Sequence, residues 1–163
     1  MEERLYFAYG SNINLDQMAF RCPNAEVVGP VTLDGYRLAF RGSGVATILP
    51  CEGKKVEGLL WNLTPECELS LDHYEGYPHL YHKEDIIVRN KDNREIKTMV
   101  YVMDSKYEKQ PCVPHHMYFM GIAEGYHQNK MKMDTLFDAL TETRKEVRQN
   151  QKFQHKRNRG YWR

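Results

Sequence analysis

The sequence predicts an α+β fold built on a mixed or antiparallel β-sheet that is able to curl into a barrel. Two observations support this class. Short strand-type segments separated by turn residues dominate the chain up to Met103, and helical periodicity follows Pro114. The predicted order is strand, short helix, several strands, helix, two strands and two helices. The 163 residues suit one compact domain, and the chain contains no internal repeat or domain linker.

The first predicted strand ends in a small polar loop. Leu5 to Tyr9 is apolar and aromatic, which is typical of a short buried strand. Gly10, Ser11 and Asn12 end it abruptly. Glycine allows a ligand to approach the backbone closely, and exposed N–H groups beside it are able to receive an anion or an oxyanion. On spacing alone, a strand that simply ends in a turn is the simpler explanation.

A short helix is predicted next, followed by a run of antiparallel hairpins. Leu15, Met18 and Ala19 indicate the helix, which either Asn12 or Asn14 is able to cap. The hairpins are predicted from turn residues that separate short β-type segments. Their strands begin at Val27–Val28 and continue at Tyr36–Phe40, Val45–Leu49 and Val56–Leu63, with turns at Asp34–Gly35 and Pro50–Lys55.

The second predicted helix has clear end signals. Thr64 supplies an N-cap hydroxyl, Pro65 suits the first helical position and Glu66 places an acid in the first turn. The helix is expected to run to about His73 and to stop before Gly76 and Pro78.

The remaining elements are a hairpin and two helices. The strands His82–Arg89 and Glu95–Met103 flank the polar turn Asn90–Asn93. The second strand is apolar on both faces, so we place it centrally. Helices are expected over about His115–His127 and Asp134–Lys152.

Charge is distributed unevenly along the chain. It carries 23 basic and 22 acidic residues, but from Arg144 to the end there are eight Lys or Arg residues and one acid, Glu146. The body is therefore mildly acidic and the C-terminal tail basic. Residues 152–163 have no helical period, and we expect disorder there.

Sequence signals for export or membrane insertion are missing. The N-terminus lacks a secretory pattern, and no stretch approaches the roughly 18 to 20 apolar residues of a membrane span. The four cysteines are scattered, so we expect reduced thiols and a cytoplasmic location.

Glu75 is the best candidate for acid–base chemistry. It is a single acid at a helix end, between Tyr74 and Tyr77. Partial desolvation there would raise its pKa above the free value of about 4.3 and make it a usable base near neutral pH. From local sequence alone, an exposed glutamate on a turn is the commoner case.

Other chemistries find little support. The histidines lack the spacing of a zinc site, so we expect no metal. The segment Arg41 to Gly44 is too short for a phosphate loop, and Ser11 lacks a nucleophile-elbow pattern. With no dinucleotide motif either, we expect no cofactor.

Several segments in the same order carry a family resemblance. They are YFAYGSN (Tyr6 to Asn12), GVATILP (Gly44 to Pro50), VEGLLWNL (Val56 to Leu63), LDHYEGYP (Leu71 to Pro78) and the helix with Pro114, Tyr118 and Gly125. The sequence resembles the γ-glutamylcyclotransferase-like family. The most specific feature is YGSN followed about sixty residues later by a helix-ending LDxxEG.

The resemblance implies a small mixed β-barrel flanked by helices, with a cavity at one barrel mouth. The YGSN loop would hold a γ-glutamyl group there, Glu75 would be the catalytic base, and Tyr118 would bind or orient the substrate. The resemblance covers about Leu5 to His127. We expect the whole domain to span residues 1–151, followed by the basic tail at residues 152–163. The released amine stays open, because family members act on different γ-glutamyl compounds.

The implied chemistry is cyclisation of the γ-glutamyl group to 5-oxoproline, by an acyltransferase or lyase that forms an intramolecular lactam. We expect the backbone N–H groups around Gly10, Ser11 and Asn12 to bind the oxyanion and the α-carboxylate. Tyr6 and Tyr9 are candidates, with Tyr118, for the wall that curls the glutamyl chain.

The expected partner is a small γ-glutamyl substrate; we do not expect a membrane or a nucleic acid, and a homodimer stays open because relatives are often dimers. Two alternatives also stay open. One is a non-catalytic ligand-binding or regulatory protein on the same fold. The other is a protein that binds polyanions through the basic tail, which contains Phe153, Tyr161 and Trp162.

Overall fold

A computed structural model describes residues 4–161, with side chains for residues 4–159. Five strands form a closed barrel in the order β1-β3-β2-β4-β5. All neighbouring strands run antiparallel except β1 and β5, which are parallel and close the barrel. The prediction of an α+β fold with a small mixed barrel flanked by helices is confirmed.

The strands are β1 (Arg4–Ala8), β2 (Glu26–Arg41), β3 (Val45–Leu63), β4 (Tyr81–Arg89) and β5 (Glu95–Met103). The helices are α1 (Leu15–Arg21), α2 (Pro65–Glu75), α3 (His116–Gln128) and α4 (Asp134–Tyr161), with a 3₁₀ turn at Ser11–Ile13. In the described part of the chain, no helix combines the length and the apolar character that crossing a bilayer requires.

The predicted run of separate hairpins is wrong for β2 and β3, which form one long pair. Asp34 pairs with Lys55 and Tyr36 with Pro50, so Gly35 lies opposite Cys51–Lys54 in a wide irregularity. Gly35 and Gly53 both take positive φ angles, of 81° and 82°. Because glycine adopts these angles without strain, the backbone bends there and pairing resumes beyond the bend.

Close backbone packing fixes how β1 sits on β3. A Cβ atom on Gly58 would lie 2.5 Å from the Ala8 carbonyl oxygen and 2.5 Å from the Phe7 ring. Phe7 is fully buried, as are Leu59 and Leu60 on β3. This packing sets the place where β1 ends and the YGSN loop begins.

Local capping fixes both short helices. Of the two candidate caps for α1, Asn14 serves: its side-chain oxygen accepts from the N–H groups of Asp16 and Gln17. Thr64 caps α2 by accepting from Cys67 N–H, as predicted. Gly76, in the left-handed conformation with φ 66°, ends α2, so Glu75 is its last residue.

Helix α4 is longer than predicted. Its first half packs on β2: the Thr143 hydroxyl accepts from Phe40 N–H, and Glu146 pairs with the buried guanidinium of Arg41 at 2.6 Å. The helix then continues to Tyr161, so residues 152–161, predicted to be disordered, are helical. Lys, Arg and Gln are good helix formers, which favours this extension. Trp162 of the predicted tail lies outside the described residues.

Candidate active site

A cavity of about 210 Å³ lies beside the end of β1, the end of α2 and the first turn of α3. Every residue predicted for the site lines it. These residues are Glu75, Tyr6, Tyr9, Gly10, Ser11, Asn12 and Tyr118. Residues separated by more than a hundred positions in the chain therefore share one hollow.

The YGSN loop forms one wall of the cavity. A Cβ atom on Gly10 would lie 3.2 Å from the Ala46 side chain and 3.5 Å from the Tyr118 hydroxyl, so a larger residue would intrude here. Trp61 Nε1–H donates to the Asn12 carbonyl oxygen at 3.0 Å and holds the loop from below. The leading N–H groups of a helical turn have no acceptor within the turn, and no side chain caps the start of this one. These N–H groups are suited to bind a negatively charged oxygen.

Glu75 faces this loop from the end of α2. Its closest side-chain partner is Asn12, whose Nδ2 lies 3.5 Å from Oε1. Burial raises the pKa of the Glu75 carboxyl to about 7, against the opposing effect of the Arg21 cation. The carboxyl is therefore poised to exchange a proton near neutral pH.

The two tyrosines that flank Glu75 in the sequence lie in different surroundings. Tyr74 lines the cavity, whereas Tyr77 does not and instead lies under the Lys83 ammonium, 4.5 Å from the ring centroid. Four other tyrosines of the cavity wall, Tyr6, Tyr9, Tyr101 and Tyr118, are far from Glu75 in the sequence, and Tyr81 lies at the start of β4. The surroundings in which burial raises the pKa of Glu75 thus include residues that its local sequence does not contain.

Two cavity tyrosines donate hydrogen bonds from their hydroxyl groups to backbone carbonyl oxygens. Tyr9 donates to the Tyr101 carbonyl oxygen and Tyr81 donates to the Ala46 carbonyl oxygen, both at 2.6 Å. Burial raises the pKa of both hydroxyls, so they stay protonated. Tyr9, a predicted substrate contact, therefore offers its ring rather than its hydroxyl proton to the cavity.

Tyr6 and Tyr118 behave differently, since both hydroxyls act as acceptors. Asn12 Nδ2 donates to Tyr6 at 2.9 Å, and Ala46 N–H donates to Tyr118 at 3.0 Å. Each hydroxyl keeps its own proton available for a ligand. Burial raises the pKa of both groups, so neither ionises near neutral pH.

Sequence reasoning missed Arg21, Tyr74 and Tyr81 as site residues. Arg21 is the last residue of α1, and its guanidinium stacks over the Tyr74 ring at 3.8 Å from the centroid. In the sequence it looks like an ordinary cation in the last turn of a helix. Tyr81 opens a strand, and nothing in its spacing marks it as a cavity residue.

The predicted absence of a metal site was based on histidine spacing. Across residues 4–161, no group of three His, Cys, Asp or Glu side chains has the arrangement that would hold a metal ion.

The chain matches the model of a known protein family. The family model described as "Gamma-glutamyl cyclotransferase, AIG2-like" matches residues 6–120, which include every predicted site residue. The chain belongs to the γ-glutamyl cyclotransferase family. The resemblance seen in the sequence is thereby confirmed, and the match ends within α3, before α4 begins.

Individual γ-glutamyl cyclotransferases are also similar to this chain in sequence and in structure. The chain is 31% identical over 126 residues to gamma-glutamylcyclotransferase of Homo sapiens and 30% identical over 126 residues to that of Bos taurus. Each match covers 71% of this chain, which spans 66% of the length of the relative. A solved structure described as gamma-glutamyl cyclotransferase superimposes with a TM-score of 0.76 at 28% identity, covering 85% of this chain and 86% of the other.

Proposed function

We propose that this protein is a γ-glutamyl cyclotransferase that converts the γ-glutamyl group of a small amine or peptide to 5-oxoproline and releases the free amine. One observation carries the proposal. A single cavity is lined by one carboxyl group, that of Glu75, and by the Gly10–Asn12 loop. Family membership agrees with this chemistry.

The reaction needs only the substrate and one proton carrier. The α-nitrogen attacks the γ-carbonyl carbon, forming a new C–N bond and a five-membered lactam. The C–N bond to the amine then breaks. The attacking nitrogen starts as an ammonium and loses two protons in all: one goes to the departing nitrogen, and the second protonates the released amine or passes to solvent. Intramolecular attack gains effective molarities on the order of 10⁵ M or more when the chain is held curled.

Glu75 is the proposed proton carrier. A substrate ammonium must lose a proton before it attacks, and a carboxylate whose pKa lies at about 7 accepts that proton at neutral pH and returns it to the leaving amine. The approach of the cationic ammonium itself favours the ionised carboxylate.

The YGSN loop is the proposed anion site. Negative charge develops on the γ-carbonyl oxygen as the ring closes, and N–H donors aimed at that oxygen each contribute about 3 kcal/mol in comparable enzymes. The N–H groups of Gly10, Ser11 and Asn12 are the candidates for the oxyanion and the α-carboxylate.

The tyrosines supply shape and two further protons. Tyr6 and Tyr118 present hydroxyl protons, and the rings of Tyr9, Tyr81 and Tyr101 close the wall. The cavity, at about 210 Å³, is below the roughly 300–1,000 Å³ of pockets that enclose drug-sized ligands. We therefore expect it to enclose the glutamyl group and leave the amine portion at its mouth.

The test is a panel of γ-glutamyl compounds assayed by mass spectrometry for 5-oxoproline and for the freed amine. Glu75→Gln is expected to lower kcat by about 10²–10⁴-fold, because the amide cannot accept the proton. For the unmodified protein, kcat/KM should rise with pH through about 7 as Glu75 loses its proton.

Glu66→Gln is the matched control, since Glu66 lies exposed in the first turn of the same helix. It should leave turnover unchanged. Normal 5-oxoproline release by Glu75→Gln would remove the base assignment. Tight binding of γ-glutamyl compounds without turnover, by the unmodified protein, would instead favour the non-catalytic ligand-binding alternative.

A further inference from the structure

Arg21 joins the loop side of the cavity to the helix that carries Glu75. Its Nη1 donates to Asn12 Oδ1 at 2.6 Å and to Ser11 Oγ at 3.3 Å. Its Nη2 donates to Gln17 Oε1 at 2.9 Å, one turn earlier in α1. The guanidinium plane lies over Tyr74, the residue before Glu75. The guanidinium group thus contacts four side chains.

These contacts determine which way the Asn12 amide points. A guanidinium only donates hydrogen bonds, so the amide oxygen of Asn12 must face Arg21. The amide nitrogen is then turned to the opposite side, where it lies 2.9 Å from the Tyr6 hydroxyl and 3.5 Å from Glu75 Oε1. A flipped amide would place its N–H₂ against the cation and leave Glu75 facing an oxygen.

Arg21 is also the charged group that acts on Glu75. The other titratable groups around this carboxyl are tyrosines: Tyr6 from β1, Tyr9 directly after β1, Tyr74 from α2, Tyr81 from β4, Tyr101 from β5 and Tyr118 from α3. None of these tyrosines carries a positive charge. Among the described side chains, Arg21 supplies the cation whose field opposes the desolvation of Glu75.

We propose that Arg21 is a positioning residue for the proposed cyclisation: it holds the Asn12 amide with its donor toward Glu75 and provides the positive charge that keeps Glu75 available as a base. The inference rests on the proposed function. It assigns two separable roles to one side chain, orientation through hydrogen bonds and tuning through charge.

Titration of Glu75 by carbon-13 NMR tests the charge role without any turnover. In Arg21→Met the midpoint should move upward by about one pH unit, because a neighbouring cation lowers a carboxyl pKa by about that much or more. Arg21→Lys keeps the positive charge, so it should move the Glu75 midpoint less. Glu75→Gln assigns the signal, and Arg89→Met is the control, since Arg89 pairs with Asp34 in an exposed ion pair.

Steady-state kinetics tests the orientation role. Arg21→Lys should lower the plateau of kcat/KM by about tenfold with little movement of its acid limb, because one ammonium does not reproduce the guanidinium fork and its stacking. In Arg21→Met the plateau of kcat/KM should fall further. The rise of kcat/KM with pH should move to higher pH, together with the NMR midpoint. If Arg21→Met does not fold, Arg21→Lys still tests the orientation role.

The outcomes separate the two proposals. An unchanged Glu75 titration in a folded Arg21→Met overturns the charge role, whatever the protein catalyses. A kcat/KM plateau in Arg21→Lys equal to that of the unmodified protein overturns the orientation role. If no γ-glutamyl compound is turned over but the titration shifts as expected, the proposed function fails while the electrostatic inference stands.

Discussion

The YGSN loop and the end of α4 differ in their contacts with the rest of the protein. The loop is contacted by Trp61 of β3, Arg21 of α1 and Tyr74 of α2, and α3 lies behind it. Residues 148–159 of α4 are all exposed. The loop is uncharged and the helix end is basic, and the two segments also differ in how much of the protein surrounds them. Effects of substitution should therefore concentrate at the loop.

Helix α3 packs behind the loop, with hydrogen bonds to backbone carbonyl oxygens and a close approach between backbone atoms. Asn14 Nδ2 donates to the Gly121 carbonyl oxygen at 2.9 Å, and Asn129 Nδ2 donates to the Ile13 carbonyl oxygen at 3.0 Å. A Cβ atom on Gly125 would lie 2.6 Å from the Asn14 nitrogen. Because the nearest atoms there are backbone, they are not free to move aside as a side chain would.

The largest effect on stability is expected from Gly125→Ala. The added methyl group should force α3 away from Ile13 and Asn14, at a cost of about 1–3 kcal/mol, in spite of the better helix propensity of alanine. Chemical denaturation measures this loss. Displacement of the loop should also lower kcat/KM.

Gly121→Ala is the matched control in the same helix. Its Cβ atom would meet the end of the Gln17 side chain at 2.6 Å, and this flexible end is able to shift. Because Gln17 Oε1 accepts from Arg21 Nη2, the shift weakens that hydrogen bond and offsets part of the gain in helix propensity, so the net change in stability should lie within about 1 kcal/mol. Equal losses in both variants would mean that the backbone contact behind the loop does not matter.

A smaller effect, confined to activity, is expected from Tyr118→Phe. The change removes a hydroxyl group that lines the cavity and accepts from Ala46 N–H. We expect kcat/KM to fall by about 10- to 100-fold, equivalent to one or two hydrogen bonds. In the control Tyr126→Phe the lost hydroxyl faces the Glu57 carbonyl oxygen outside the cavity, so activity should be unchanged. Similar rates for both variants would remove Tyr118 from the site.

The smallest effect is expected from a chain that ends at Gln151. The cut keeps Glu146 and its pair with Arg41, and residues 152–159, which it removes, are all exposed. Turnover should stay within about twofold and Tm within about 2 °C. Binding of RNA or heparin, measured on both chains at several salt concentrations, tests the polyanion alternative. Salt-sensitive binding lost on truncation would give the helix end a function of its own.

Local signals in the sequence were sufficient for α2. Thr64, Pro65 and Gly76 gave its start and its end, and those signals act within one turn of the backbone. The position of Glu75 at the end of the helix was therefore predictable. The long β2–β3 pair was not, because the glycines that suggested turns permit bulges equally well, and register decides between the two.

The sequence by itself determined the strand segments of β1, β4 and β5, the start of α2, and the presence of a glycine loop and a lone acid. Only the tertiary structure decided that they face each other, because parallel pairing of β1 with β5 closes the barrel and brings distant tyrosines around Glu75. The pKa of that carboxyl and its link to Arg21 depend on burial and distance in space, and neither quantity is encoded in local spacing.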